Sequence, residues 1–235
     1  MLKKGVDRGL NGRVSASGGN RNTSLNTSLN FKKGKLGLTS STSVGSWYGP
    51  NQFERARTDK FSASTLTQGS TGRNLGGWYY GTLGLDYDLS ERQSLSLAGS
   101  LNGYRLSSSN LLSWLLAPVG PNDLFTRAST STFSGLNSEL TGTYAKIFAQ
   151  ARREWNVLGQ YALNGNTSDY YDQFANSDAV LGRGQASYRE RSRGRTPGSE
   201  YTFQTDFTQP LGEKQTLETG LKAIWRRTGS VADVD

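Results

Sequence analysis

The sequence predicts an all-β fold, an antiparallel up-and-down transmembrane β-barrel that is partial, with about nine strands of a larger barrel present. Three observations carry that expectation. Apolar and polar residues alternate with the period of a strand along most of the chain, several alternating segments are about ten residues long, and the connections are short and long in turn. Composition agrees: 235 residues are only 34% hydrophobic, with 29 Gly, 11 Tyr and 5 Trp, which suits strands and turns and is too little for a thick water-excluding core.

The strands are read in chain order from which residues share a face. Val14 and Ala16 oppose Arg13, Ser15 and Ser17; Leu25, Leu29 and Phe31 oppose Asn26, Ser28 and Asn30; Leu36, Leu38 and Val44 continue the pattern. The signal then sharpens. Tyr79, Leu83, Leu85 and Tyr87 stand against Tyr80, Thr82 and Asp86, and Leu95, Leu97 and Leu101 against Ser96, Ser100 and Asn102. Leu136, Leu140 and Tyr144 face away from Asn137, Glu139 and Thr141, and Trp155, Val157, Tyr161 and Leu163 from Asn156, Gln160 and Asn164. Tyr201, Phe203 and Phe207 oppose Thr202, Gln204 and Asp206. In the last strand Leu217, Thr219, Leu221, Ala223 and Trp225 share a face against Glu218, Lys222 and Arg226, with Ile224 as the exception.

Short turns are expected at residues 32–35, 88–93, 148–154 and 210–214, all on one side of the membrane. Long loops are expected on the other side at 46–75, 106–134 and 167–200, which hold Pro50, Pro118, Pro121 and Pro197. Strand-like pieces at 60–66 and 182–189 then read as extensions above the membrane. Trp47, Tyr48, Trp78, Tyr79, Tyr87, Tyr104, Trp155, Tyr201 and Trp225 are expected as interface girdles.

Several function classes drop out on residue types alone. With no Cys and no His, the chain has no disulfide, no thiolate or imidazole metal site and no imidazole base, so no catalytic, cofactor-binding or metal residue is nominated, no cofactor is expected and the protein is not read as an enzyme. The net charge of +8 is spread along the chain among acids, without the dense patch of a nucleic-acid binder. No stretch reaches the ~20 apolar residues of a membrane helix; residues 111–119 come nearest and are broken by Ser113 and Pro118. Residues 1–5 carry the charges of a secretion signal with no apolar run behind them, so an exported form is expected to have its own leader elsewhere.

The remaining motifs have two readings each. Arg183, Arg189, Arg191, Arg193 and Arg195 form either a solvated charged loop or a contact for anionic lipopolysaccharide. Asp86, Glu139, Asp206 and Glu218 fit the wall of a hydrated lumen without chemistry. Glycines over residues 72–84 suit close backbone packing in a sheet.

Residues 2–12, Leu-Lys-Lys-Gly-Val-Asp-Arg-Gly-Leu-Asn-Gly, resemble the junction where the plug of a TonB-dependent outer-membrane receptor meets its first barrel strand. Residues 14–20 and 29–36 look like the first strands of that barrel. Leu85-Asp86-Tyr87, residues 205–211 and residues 217–222 with Arg226 are similar to the outer-membrane β-barrel family common in Bacteroidota. The resemblance implies residues 1–10 as a remnant of the plug junction, 11–235 as an incomplete barrel segment, an outer-membrane location, and nutrient uptake powered through TonB. Implied partners are outer-membrane lipid and lipopolysaccharide, the rest of the barrel and its plug, and TonB through that plug, with no nucleic acid and no legible substrate. A fragment or split reading frame is the expectation. The competing fold is a soluble secreted β-sandwich, an adhesin or glycan-binding module, which buries Leu83, Leu85, Leu97, Leu221 and Trp225 between two sheets.

Overall fold

The computed structural model describes residues 9–59, 64–117, 124–178, 183–212 and 214–235. They form one antiparallel sheet in which strands consecutive in the chain pair, except that the last two both lie along the eighth. The strands are β1 (Gly9–Gly18), β2 (Asn22–Lys33), β3 (Leu36–Asp59), β4 (Ser64–Ser90), β5 (Gln93–Ala117), β6 (Leu124–Ile147), β7 (Glu154–Asp178), β8 (Arg183–Pro210), β9 (Thr216–Thr228) and β10 (Val231–Val234). Residues 1–8 of the expected plug junction lie outside the described residues, while Gly9 and Leu10 open β1.

β9 and β10 are two stretches of one strand along β8. Gly198 stands opposite Thr228 and Arg195 opposite Val231, so the register is unbroken across the gap. Pro197 explains the interruption: it accepts the Gly229 N–H at 2.9 Å through its carbonyl but has no N–H to return. Nine strands therefore cross, as the alternation implies.

Register sorts the side chains into two faces, because residues opposite one another in a ladder point the same way. One row runs Leu10, Phe31, Leu38, Leu85, Leu97, Gly142, Gly159, Phe203, Ala223. The next row on that face runs Gly12, Leu29, Ser40, Leu83, Gly99, Leu140, Tyr161, Tyr201, Trp225. Neither contains a charge. The opposite face carries Asn30, Thr39, Gly84, Ala98, Thr141, Gln160, Thr202 and Ile224, so each single-residue step along a strand swaps an apolar environment for a polar one.

No hydrophobic side chain among the described residues is buried. A soluble sheet could not leave Leu83, Leu97, Leu140, Leu221 and Trp225 between 45% and 64% exposed on one contiguous face. No second sheet covers them. A bilayer is the solvent in which such a face is stable, since lipid replaces the missing layer.

The expected long loops are strands instead. Beyond the level of Ser46 and Gly77 the β3–β4 ladder continues to Asp59 opposite Ser64, and the β5–β6 and β7–β8 ladders climb equally far. Serine, threonine, glycine and charged residues on both faces hid these extensions from a reading based on polarity. Of the pieces expected as extensions at 60–66 and 182–189, residues 64–66 and 183–189 do lie beyond the apolar band, while 60–63 and 182 lie outside the described residues. The hairpin between β1 and β2 closes on the same side as the long ladders with only residues 19–21.

The lower turns are short throughout. Gly34, at φ 59, fits the first central position of the two-residue β2–β3 hairpin, where a primed turn demands a left-handed residue. At the β6–β7 turn, Phe148 and Arg153 pair through the backbone and Arg152 takes the left-handed conformation. Arg153 and Lys146 both lie over the Phe148 ring, which meets Phe207 edge to face at 6.1 Å. This is a rim of aromatic and cationic groups at the lower border of the apolar band.

Candidate functional site

The four acids expected on a lumen wall all fall on the polar face. Asp86 accepts a hydrogen bond from Ser96 Oγ (2.6 Å), Glu139 from Thr141 (3.1 Å) and Asp206 from Gln204 Nε2 (2.7 Å). These three are each tied to a neighbouring polar side chain, not to a second carboxylate. Amides and hydroxyls complete the surface: Asn30 to Asn11 (3.0 Å), Asn137 to Asn102 (3.1 Å) and Ser41 with Thr82 (2.7 Å). Such a surface holds water and polar solutes. No group of metal-ligating residues occurs among the described residues.

Aromatic residues divide between the faces, which corrects the girdle expectation. Tyr48, Tyr79, Tyr87, Trp155, Tyr201 and Trp225 share the apolar face, whereas Trp47, Trp78 and Tyr104 share the polar one. Alternation forces this, because Trp47 and Trp78 neighbour Tyr48 and Tyr79 in sequence within continuous strands. The inward rings lie across glycines of the adjoining strand. A Cβ on Gly45 would stand 2.7 Å from the Trp78 ring and one on Gly135 2.5 Å from Tyr104, and Trp47 covers Gly76 in the same way. Gly76 and Gly135 are buried beneath those rings, so they act as close-packing glycines. A groove of about 780 Å³ crosses at this level, with Trp78, Tyr104, Asn164 and Asn166 in its lining.

Higher up, β6 and β7 carry a polar cluster on the same inward face. Arg127 Nη2 binds Asp172 Oδ2 at 2.5 Å, its Nε adds a second contact at 3.1 Å, and the Tyr170 hydroxyl joins them. Asp172 is buried and its Oδ1 has no partner among the described residues. The guanidinium also lies over the Phe174 ring, 5.2 Å from its centroid. The bond to Asp172 holds the Arg127 guanidinium above its ordinary range, and burial raises the Tyr170 phenol.

The arginine cluster is a strand, not a loop. Arg189, Arg191, Arg193 and Arg195 all lie on β8 at alternate positions, on the same face as Tyr201, Phe203 and Phe207. Arg191 binds Asp169 through Nη2 at 2.6 Å and Nε at 3.0 Å. That hydrogen bond, with the charges of Arg191 and Arg193, holds the Asp169 carboxyl below the usual carboxylate range. Arg183 opens β8, and its side chain lies outside the described residues.

An open up-and-down antiparallel sheet, apolar on one face, polar on the other and wide enough to cross a bilayer, defines an outer-membrane β-barrel. Residues 146–235, which hold β7 to β10, match the outer membrane protein beta-barrel family. The protein resides in the cell outer membrane. No curated protein matches the chain.

Proposed function

We propose that this sheet is part of the barrel wall of a TonB-dependent-type receptor, which takes up a nutrient across the outer membrane of a Bacteroidota-like cell. The observation that carries the reading is the inward face: a polar wall of amides, hydroxyls and single acids with an aromatic set at Trp47, Trp78 and Tyr104. Such a wall binds and passes solute instead of transforming it. It is read as non-enzymatic.

Strand parity supports a larger barrel. β1 rises to the upper turn at residues 19–21 and β9 rises from the lower turn at 211–215, so the two edge strands run the same way. Joining those edges directly, or joining two copies of this sheet edge to edge, creates parallel seams. An antiparallel barrel needs an odd number of further strands between them. A barrel of 22 strands, the size of plugged outer-membrane transporters, leaves an odd remainder after these nine. On this reading the nine strands are one stretch of the wall of such a barrel.

The test is epistasis. The gene that encodes this chain is deleted and the strain is grown on limiting supplies of glycans, iron chelates and corrinoids, with and without a functional TonB complex. A defect on one nutrient class, no worse when TonB is also removed, supports the reading. Growth equal to the parent on every limiting nutrient would sink it.

A further inference from the structure

The outward face changes character part way up several strands. Reading upward, the first charged outward residue is Arg73 on β4, Arg105 on β5, Arg195 on β8 and Arg227 on β9. All four are exposed. None takes part in a salt bridge among the described residues; Asp169 is taken by Arg191, and Asp233 faces Arg193 from β10.

Geometry fixes the depth of this row. On β8, Phe207 and Arg195 are twelve residues apart; on β5, Leu95 and Arg105 are ten, as are Leu217 and Arg227 on β9. At ~3.3 Å per residue and a tilt near 40°, ten to twelve residues climb roughly 25–30 Å, the height of the apolar band of an outer-membrane barrel. Arg105, Arg195 and Arg227 therefore stand at the headgroup level of the leaflet on the side of the long hairpins, which is the outer one, and Arg73, fourteen residues above Tyr87, stands just beyond it. Arg105 and Arg195 share one cross-sheet row with Ser134 and Thr167 between them, two hydroxyls flanked by two guanidiniums.

We propose that Arg73, Arg105, Arg195 and Arg227 form a binding face for the phosphorylated headgroups of outer-leaflet glycolipid. Guanidinium matches phosphate in charge and in bidentate geometry, and the apolar band directly below receives the acyl chains of the same molecule. Solvated arginines on a loop would not alternate with the strand period, would not begin where the apolar band stops, and would not recur on four strands. The proposal rests on the outer-membrane placement and not on nutrient uptake, so either can fail while the other stands.

The experiment uses the complete receptor purified from outer membranes and measures its affinity for lipid A in nanodiscs, bisphosphorylated against phosphate-free. Arg105→Gln, Arg195→Gln and Arg227→Gln are combined, with a like-charged control pair, Arg55→Gln and Arg57→Gln, on the other face of β3. Each surface arginine contributes about fivefold in affinity for anionic lipid, so the triple variant is expected to bind bisphosphorylated lipid A about a hundredfold more weakly. It should then match the wild type on phosphate-free lipid, while the control pair and the triple Arg→Lys variant stay within a fewfold of wild type. If the glutamine variant does not fold, the wild-type comparison of the two lipids and the lysine variant decide. Equal affinity for both lipids, or an equal loss in the control pair, overturns the proposal.

Discussion

Leu101→Arg and Leu111→Arg make a matched pair on β5 that separates a lipid-facing band from an ordinary exposed surface. Both side chains point outward from the same strand, and they are 45% and 51% exposed. Their ladder neighbours are small or polar, Gly81 and Ser138 beside Leu101 and Thr71 and Ala128 beside Leu111, so neither is shielded within the sheet. Exposure alone predicts the same cost for both. Depth predicts otherwise: Leu101 lies between Leu95 and Arg105, near the middle of the apolar band, while Leu111 lies well above Arg105 in the polar extension. An arginine at the bilayer midplane costs about 2–4 kcal/mol and one at or above the interface about 0–1. At 1.36 kcal/mol per tenfold change, the first substitution lowers the folding equilibrium about 30- to 900-fold and the second by less than about sixfold. Denaturant titration of the complete receptor in phospholipid vesicles, followed by heat-modifiable electrophoretic migration, measures both. Equal losses would refute the assignment of this face to lipid.

Cysteines placed singly at Tyr201, Phe203 and Phe207 should resist a membrane-impermeant maleimide, whereas those at Thr202, Gln204 and Asp206 should label through the lumen; uniform labelling would contradict the two-faced wall. Arg127→Met leaves the Asp172 carboxylate buried without its partner and should destabilise the upper β6–β7 ladder by about 3–5 kcal/mol, read as faster proteolysis there. Converting Asp172→Leu in that background should restore much of the resistance. Because the folded carboxyl of Asp169 titrates below its ordinary value, its bond to Arg191 contributes fully above that ordinary value, near pH 3.9, and is lost as pH falls through the lowered one. Amide exchange of the upper β7–β8 hairpin should therefore be flat from pH 7 to about 4, after correction for intrinsic rates, and rise below it; Asp169→Asn should abolish the rise. Gly76→Val drives a side chain into the Trp47 ring and should lower the amount of folded protein, with partial rescue by Trp47→Ala.

The spanning strands were legible because lipid imposes a strict alternation: Leu217 to Trp225 and Tyr79 to Tyr87 leave little freedom of phase. Above the band that pressure ends. Residues 51–59 and 64–72 are bathed in water on both faces, so they alternate in nothing that polarity can report, and paired strands there read as loops. The aromatic residues failed for another reason, since a tryptophan suits an interface and a lumen equally well. Their phase was available all the same: Val44 points outward, hence Tyr48 does and Trp47 does not. The Arg127–Asp172 pair joins residues 45 apart and had no signal, because pairing across two strands depends on a register that the hidden extensions set.

Nearest-neighbour pairing throughout the sheet bears on how it forms. Every ladder joins strands consecutive in the chain, so each closure spans only one hairpin, and no strand waits for a distant partner. Assembly can then proceed as a ribbon that lengthens one hairpin at a time from a turn such as Gly34 or 91–92. Until the barrel closes it has two bare edges, and each strand added covers one and exposes another. A factor that caps the edge being extended would have to move on with each strand, and its last release would coincide with closure of the finished barrel.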